Sequence, residues 1–216
     1  MTEGKLRVYP VQPDHSALVA QLAQQLAVAS DVRVACASAL ESVVAMLPGA
    51  VCAALYLASG RAGTLESYAE YGRPAALAGH YMRLVLARPN VLTVAARSGQ
   101  PYVFRVDAAE VALSASARSA LEAAGIGSGA VIPIPAPGWV AGVLVICYGQ
   151  GAGSLANDLP FLRSFCAVVG AMVDGWQARQ AAAERARRAE AMAEGAVSLS
   201  RGASIVEEEV YGPALR

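Results

Sequence analysis

Apolar residues first recur at helical spacing. Leu18, Leu22, Leu26 and Ala29 fall three or four positions apart, which predicts a helix over about 15–30, with Asp14 and Ser16 as candidate caps. Residues 1–13 ahead of it are polar, carry Pro10 and Pro13, and read as a lead-in. Asp31 is placed to cap a second helix through Val34, Leu40, Val43, Val44 and Leu47, and Pro48-Gly49 ends it.

The period then changes. Val51 to Ala58 is a short apolar run bounded by Ser59-Gly60 and reads as a strand. Thr64 to Tyr71 reads as a second, joined to the first by a hairpin-like link from Ser59 to Gly63. A weak helical signal covers Ala78 to Ala87, and Pro89-Asn90 breaks it. Val91 to Ser98 is helical, with Gly99 as its stop. A third strand follows over Pro101 to Val106 and a helix over Ser114 to Ala124, closed by Gly125. Ala130 to Pro135 and Trp139 to Tyr148 form two more strands around a Pro137-Gly138 turn.

A last helix is expected to start near Asn157-Asp158, with Pro160 in its first turn. Phe161, Phe165, Val168, Val169, Met172 and Trp176 make its apolar face. The domain is therefore expected to span 14–179. Residues 180–198 extend the helix, with Glu184 and Arg188 four apart. Ala182, Ala186, Ala189, Ala193 and Ala196 repeat there at alternating spacings of four and three. That is either a thin coiled-coil seam or a solvated alanine-rich face. The stretch 199–216, with Glu207-Glu208-Glu209, reads as a flexible tail.

With 56% hydrophobic and 16% charged residues, the chain has material for a sizeable core and does not read as disordered. Its 17 basic and 17 acidic residues cancel, so nothing steers it to nucleic acid or an anionic membrane. Pro133, Pro135, Pro137 and Gly138 interrupt the longest uncharged run, Ala123 to Asn157, so that run is not a spanning helix. The expected setting is a soluble, cytoplasmic protein. Cys36, Cys52, Cys147 and Cys166 each lie in an apolar segment with no C-x-x-C pattern, and read as small buried hydrophobes.

Helices, hairpin, crossover, helix, hairpin and long helix, in that order, give an α/β (α+β) sandwich with a mostly antiparallel sheet of five to six strands. Three segments sharpen this. They are A-A-R-S-G-Q-P-Y-V at 95–103, G-I-G-S-G-A-V-I-P-I at 125–134, and V-A-G-V-L-V-I at 140–146 followed by N-D-L-P-F-L-R-S-F at 157–165. Together they resemble the GAF domain, a family of small-molecule sensory and regulatory modules, over roughly Val32 to Arg179. The resemblance implies leading and C-terminal helices on one face of the sheet, with ligand-side helices and loops on the other.

It also implies a ligand held between the sheet and residues 73–128. The candidate ligand-binding residues are Tyr56, Tyr68, His80, Tyr81, Arg97, Tyr102, Phe104, Arg105, Asp107 and Ile132. Arg105 and Asp107 share one face of a strand, as a clamp for an anionic or amide ligand or as a surface ion pair. The bilin-binding branch needs a cysteine, often beside a histidine, and no such pair occurs. His80 alone argues poorly for haem. The N-K-x-F-D-E signature of cyclic-nucleotide relatives is absent, and so are G-x-S-x-G, H-E-x-x-H and the phosphate-loop pattern. No cofactor, no metal and no catalytic residue is therefore expected. Three readings follow: a non-catalytic sensory domain, dimeric through its terminal helices and coupled to an output domain or partner; a redox enzyme like the free methionine-(R)-sulfoxide reductases, which place cysteines in the pocket region; or a ligand-free dimerisation scaffold. No cysteine falls within 73–128, which counts against the second.

Overall fold

The computed structural model describes residues 15–29, 31–59, 63–79, 81–109, 112–151 and 155–211. The predicted lead-in, Asp14, the centre of the first hairpin link and His80 lie outside them. Residues 1–173 and 174–216 form two compact units.

In the first unit, α1 (His15–Val28) and α2 (Val32–Met46) lead the chain. Asp31 caps α2 as expected, its carboxylate accepting from the Arg33 and Val34 amides at 2.9 and 3.1 Å. The strands are β1 (Ala50–Ser59), β2 (Thr64–Tyr71), β3 (Arg83–Val85), β4 (Tyr102–Arg105), β5 (Ile126–Ala136) and β6 (Trp139–Gly149). They form one sheet in the order β3-β2-β1-β6-β5-β4, with every neighbouring pair antiparallel. Two helices lie between strands in the chain, α3 (Val91–Ser98) and α4 (Ala115–Ala123). Gly99 ends α3 as expected, at φ 65°, a conformation that glycine adopts without a Cβ clash, and Ser114 caps α4 by accepting from the Ala117 amide.

The helix predicted over 78–87 is a single tight turn, Ala75–Leu77, followed by β3. The reason is local. Gly72, Gly79 and Tyr81 all take positive φ, which no helix tolerates, and the short edge strand pairs back onto β2.

Side-chain alternation divides the core in two. Ala53, Leu55, Leu144, Ile146, Ala130, Ile132 and Ile134 face α1, α2 and the start of α5 (Leu155–Tyr211), meeting Leu22, Leu40, Val43, Phe161, Phe165 and Val169. Cys52, Tyr56, Val143, Cys147, Val131 and Ile126 face the opposite way, toward α3 and α4. Each fully buried Leu, Ile or Phe contributes about 1.5–3 kcal/mol, so both faces are well anchored. A bulge between Leu55 and Tyr56 leaves Tyr68 unpaired in β2, and Tyr68 and Ala69 both turn to the α1/α2 face. α5 begins three residues before Asp158, so Asp158 is not its cap. It accepts a hydrogen bond from the buried Tyr148 phenol at 2.9 Å, tying the first turn of α5 to β6.

In the second unit α5 continues to Tyr211, past the expected end of the helical extension at 198. Glutamate and alanine are good helix formers, and no proline intervenes before 213. Glu184 and Arg188 form the expected ion pair, and the side chains from Ala178 to Glu194 are exposed. Asn157–Glu194 is the one helix among the described residues long and apolar enough to cross a membrane by length and composition; 39% of its apolar window is buried inside the protein, and buried core helices pass the same test.

Candidate functional site

The α3/α4 face of the sheet is not filled completely. A cavity of about 60 Å³ lies there. Its floor is β1 and β6, through Cys52, Ala54, Tyr56, Val145 and Cys147; its walls are Val91 and Leu92 of α3, Phe104 of β4, Leu113 and Leu121. Arg73, Leu77 and Tyr81, from the segment between β2 and β3, complete it. One water needs about 10–15 Å³ by such a measure, so there is room for a few waters or a ligand of few heavy atoms.

The segment carrying Arg73 and Tyr81 is held by a small polar network. The Arg73 guanidinium donates to the Leu77 carbonyl through Nε (3.2 Å) and Nη2 (2.9 Å), and to Glu70 Oε1 through Nη1 (2.5 Å). Ser67 Oγ donates to the same carboxylate oxygen at 2.5 Å. Burial opposes ionisation of Glu70, but the hydrogen bonds from Arg73 and Ser67 prevail and hold its carboxyl below the usual range. Tyr81 is the only non-glycine at positive φ among the described residues, at 58°. That conformation costs on the order of 1–3 kcal/mol and persists because surrounding contacts impose it, with the ring against the cavity. Burial raises the Tyr81 phenol, and a hydrogen bond with Ser114 opposes this. Burial also raises the Tyr56 phenol well above its ordinary value.

Two thiols share the floor. Cys52 and Cys147 are direct partners across the β1–β6 ladder and both line the cavity. The neighbouring Cys147 thiol holds Cys52 low, with help from the Arg73 charge and against the cost of burial; Cys147 is raised, first by its Cys52 neighbour and then by burial. Counting cysteines within 73–128 missed this pair because β1 and β6 lie outside that span. Alternation along 51–58 and 139–148 was the signal available, since 52, 54 and 56 share a face, as do 143, 145 and 147. Arg73 was missed as well; it ends a hairpin and carries no motif.

The structure brings together Tyr56, Tyr81 and Phe104 among the residues singled out by sequence. Tyr102 packs against the same core cluster beside the cavity without lining it. Tyr68 and Ile132 lie on the opposite face: Tyr68 packs toward α2, where the Arg33 guanidinium sits 5.1 Å above its ring, and Ile132 is wholly buried against the helices. Arg97 is exposed near the end of α3. Arg105 and Asp107 alternate with the inward-facing Phe104 and Val106 and so point outward. They form a two-pronged pair, Nε to Oδ1 at 3.1 Å and Nη2 to Oδ2 at 2.9 Å, on the rim of a broad depression open to solvent. Their side chains are 73% and 68% exposed. Among the described residues no three His, Cys, Asp or Glu side chains converge as a metal site.

No family model matches the chain, and no curated protein matches it either. Solved structures do. A GAF sensor protein from Burkholderia vietnamiensis is 22% identical, with a TM-score of 0.58 over 72% of this chain and 90% of that one. The GAF domain of an Acinetobacter phosphoenolpyruvate-protein phosphotransferase is 16% identical, with a TM-score of 0.60 over 78% and 97%. A free methionine-R-sulfoxide reductase from Neisseria meningitidis, solved with its substrate, is 20% identical, with a TM-score of 0.61 over 77% and 91%. The chain has the GAF fold. That fold is shared by sensor domains and by an enzyme, so it does not decide between them.

Proposed function

We propose that this GAF-fold chain is a non-catalytic sensory or regulatory domain that takes a small ligand into the cavity between the sheet and α3/α4. The observation that carries the reading is the convergence of Tyr56, Tyr81 and Arg73 on an otherwise apolar space. Apolar walls with a few fixed polar groups are what a small-molecule site needs. The sizes and groups fit a small carboxylate or amide, with arginine and the phenols fixing its polar end. The domain acts as a cytoplasmic dimer through α1 and α5, with the helical stretch beyond Val173 joining a partner or output domain as a coiled coil. The alanine repeat over 182–196 supports that pairing.

A thermal-shift screen with small carboxylates and amides tests the ligand. One class raises the melting temperature of the wild type, and Tyr81→Phe weakens the effect; equal shifts in both proteins, or none in either, refute the site. Sedimentation at micromolar concentration tests the dimer, and a strict monomer removes it.

A further inference from the structure

The Cys52–Cys147 pair on the floor of the cavity has an arrangement with chemistry of its own. Residues directly opposite on antiparallel strands have Cα atoms about 4.5–5.5 Å apart, within the roughly 4.4–6.8 Å that a disulfide requires. These two are such a pair, on the same face of the sheet and both on the floor of the cavity. Both are buried yet border the cavity, so a reagent that enters it meets them. The other two cysteines differ. Cys36 and Cys166 are buried in the opposite core cluster, among the helices, with no thiol neighbour, and burial pushes both up, Cys36 to about 11.

We infer that Cys52 and Cys147 form a peroxide-reactive dithiol site that takes a small hydroperoxide from the cavity and closes to a cross-strand disulfide. The size is right: hydrogen peroxide has two heavy atoms, and about 60 Å³ admits it while excluding bulky oxidants. The division of labour follows from the surroundings. The neighbouring Cys147 and the charge of Arg73, which lines the same cavity, both favour ionisation of Cys52, so Cys52 takes the part of the nucleophile. Cys52 Sγ attacks the distal oxygen of ROOH; an S–O bond forms, the O–O bond breaks, and RO⁻ leaves and takes up, as ROH, the proton that Cys52 released on ionising. Cys147 then attacks Cys52 Sγ. The S–S bond forms as the S–O bond breaks, and the hydroxide leaves as water with the Cys147 proton. Two thiols and ROOH give one disulfide, ROH and water; the thiols lose two electrons and the peroxide gains them. A covalent bond between β1 and β6 shortens the floor of the cavity, so oxidation alters the space in which a ligand would sit. The chemistry needs only the cavity and stands apart from the ligand reading.

The test uses the full chain, reduced, treated with stoichiometric hydrogen peroxide, quenched with N-ethylmaleimide and mapped by mass spectrometry. Trypsin with a glutamate-specific protease is required, because cleavage after Glu41 separates Cys36 from Cys52. The expected product has lost two hydrogens, carries one cross-link between Cys52 and Cys147, and keeps Cys36 and Cys166 alkylated. Cys52 is consumed at least about tenfold faster than either of those. Cys147→Ser leaves a sulfenic acid on Cys52 that dimedone traps, and Cys52→Ser gives no cross-link. Four alkylated cysteines in the folded wild type, or a cross-link through Cys36 or Cys166, overturns the inference, and the wild-type map decides even if a variant fails to fold. A ligand-induced thermal shift that survives such a result would leave the proposed function standing and remove the dithiol chemistry alone.

Discussion

Replacing Gly170 by alanine should destabilise the protein, although alanine is the better helix former. Gly170 lies in α5 where the helix crosses the end of β5. A Cβ there would overlap the Pro135 carbonyl oxygen and come within 3.4 Å of Ile134 Cγ2. The obstacle is backbone, so no side-chain rotation relieves it and the helix must move off the sheet. Helix propensity favours alanine by about 0.8–1 kcal/mol, whereas overpacking costs typically 1–3 kcal/mol and more where backbone must shift. A net loss of about 1–2 kcal/mol follows. Gly175, five residues on in the same helix, supplies the control, because a Cβ there meets only Arg179 Nη1 at an ordinary 3.8 Å. Gly175→Ala should therefore stabilise by about 0.5–1 kcal/mol. Urea unfolding followed by circular dichroism measures both, and for a chain this size each kcal/mol moves the melting temperature by roughly 2–4 °C. If Gly170→Ala is as stable as the wild type, α5 does not pack on β5 at this distance and the reasoning fails.

Three further outcomes are expected. Asn90→Ala should cost about 1–2 kcal/mol, since Asn90 Oδ1 accepts from the Leu92 and Thr93 amides while Thr93 Oγ1 accepts from the Asn90 amide; a loss under a few tenths in urea unfolding would show that this reciprocal cap is not formed in solution. Tyr148→Phe should cost about 1–3 kcal/mol by removing the bond to Asp158, and Asp158→Asn should recover part of the difference in a double-mutant cycle; strict additivity would show the pair is not in contact. Stability should fall at alkaline pH. Burial holds Cys36 at about 11 against 9.0 in an open chain, so its contribution is complete below pH 9 and is lost as the pH rises through 11, because the unfolded chain releases the proton first. That is about 1.4 kcal/mol per pH unit, with Cys166, Tyr56 and Tyr148 acting in the same direction; a flat profile of urea midpoints across this window in the wild type, or no flattening of it in Cys36→Ala, would refute the assignment.

The regular elements were legible in the sequence because their signals are local. Val91–Ser98 and Thr64–Tyr71 were placed to the residue, the first between the Pro89-Asn90 break and Gly99, the second between Gly63 and Gly72. The 74–88 segment was not, since its course rests on Arg73 reaching back to Leu77 and Glu70 and on the left-handed Tyr81, neither of which leaves a periodic trace. The site was half legible. Tyr56, Tyr81 and Phe104 were named as candidates, but a linear window after the second strand left out the floor of the sheet, and with it Cys52 and Cys147. Tyr68 misled because its polar tip said nothing about which face it took; parity with Leu65, buried on the α3/α4 side, already set it opposite. Arg105 and Asp107 were correctly read as neighbours on one face, and only the neighbouring side chains Phe104 and Val106 show that this face is the outer one.

Calorimetry of propionate and propionamide binding to the wild type and to Ala54→Leu decides whether the cavity takes a ligand. Ala54 lines the cavity, and the added carbons of leucine would occupy the space a ligand uses. If the cavity is the site, one of the two probes binds the wild type and stabilises it by about 2.7 kcal/mol at a hundredfold excess over Kd, and the folded Ala54→Leu protein loses both effects. Equal binding by both proteins would place the ligand elsewhere, and no binding of either probe to the wild type would contradict a small-carboxylate or amide site in this fold.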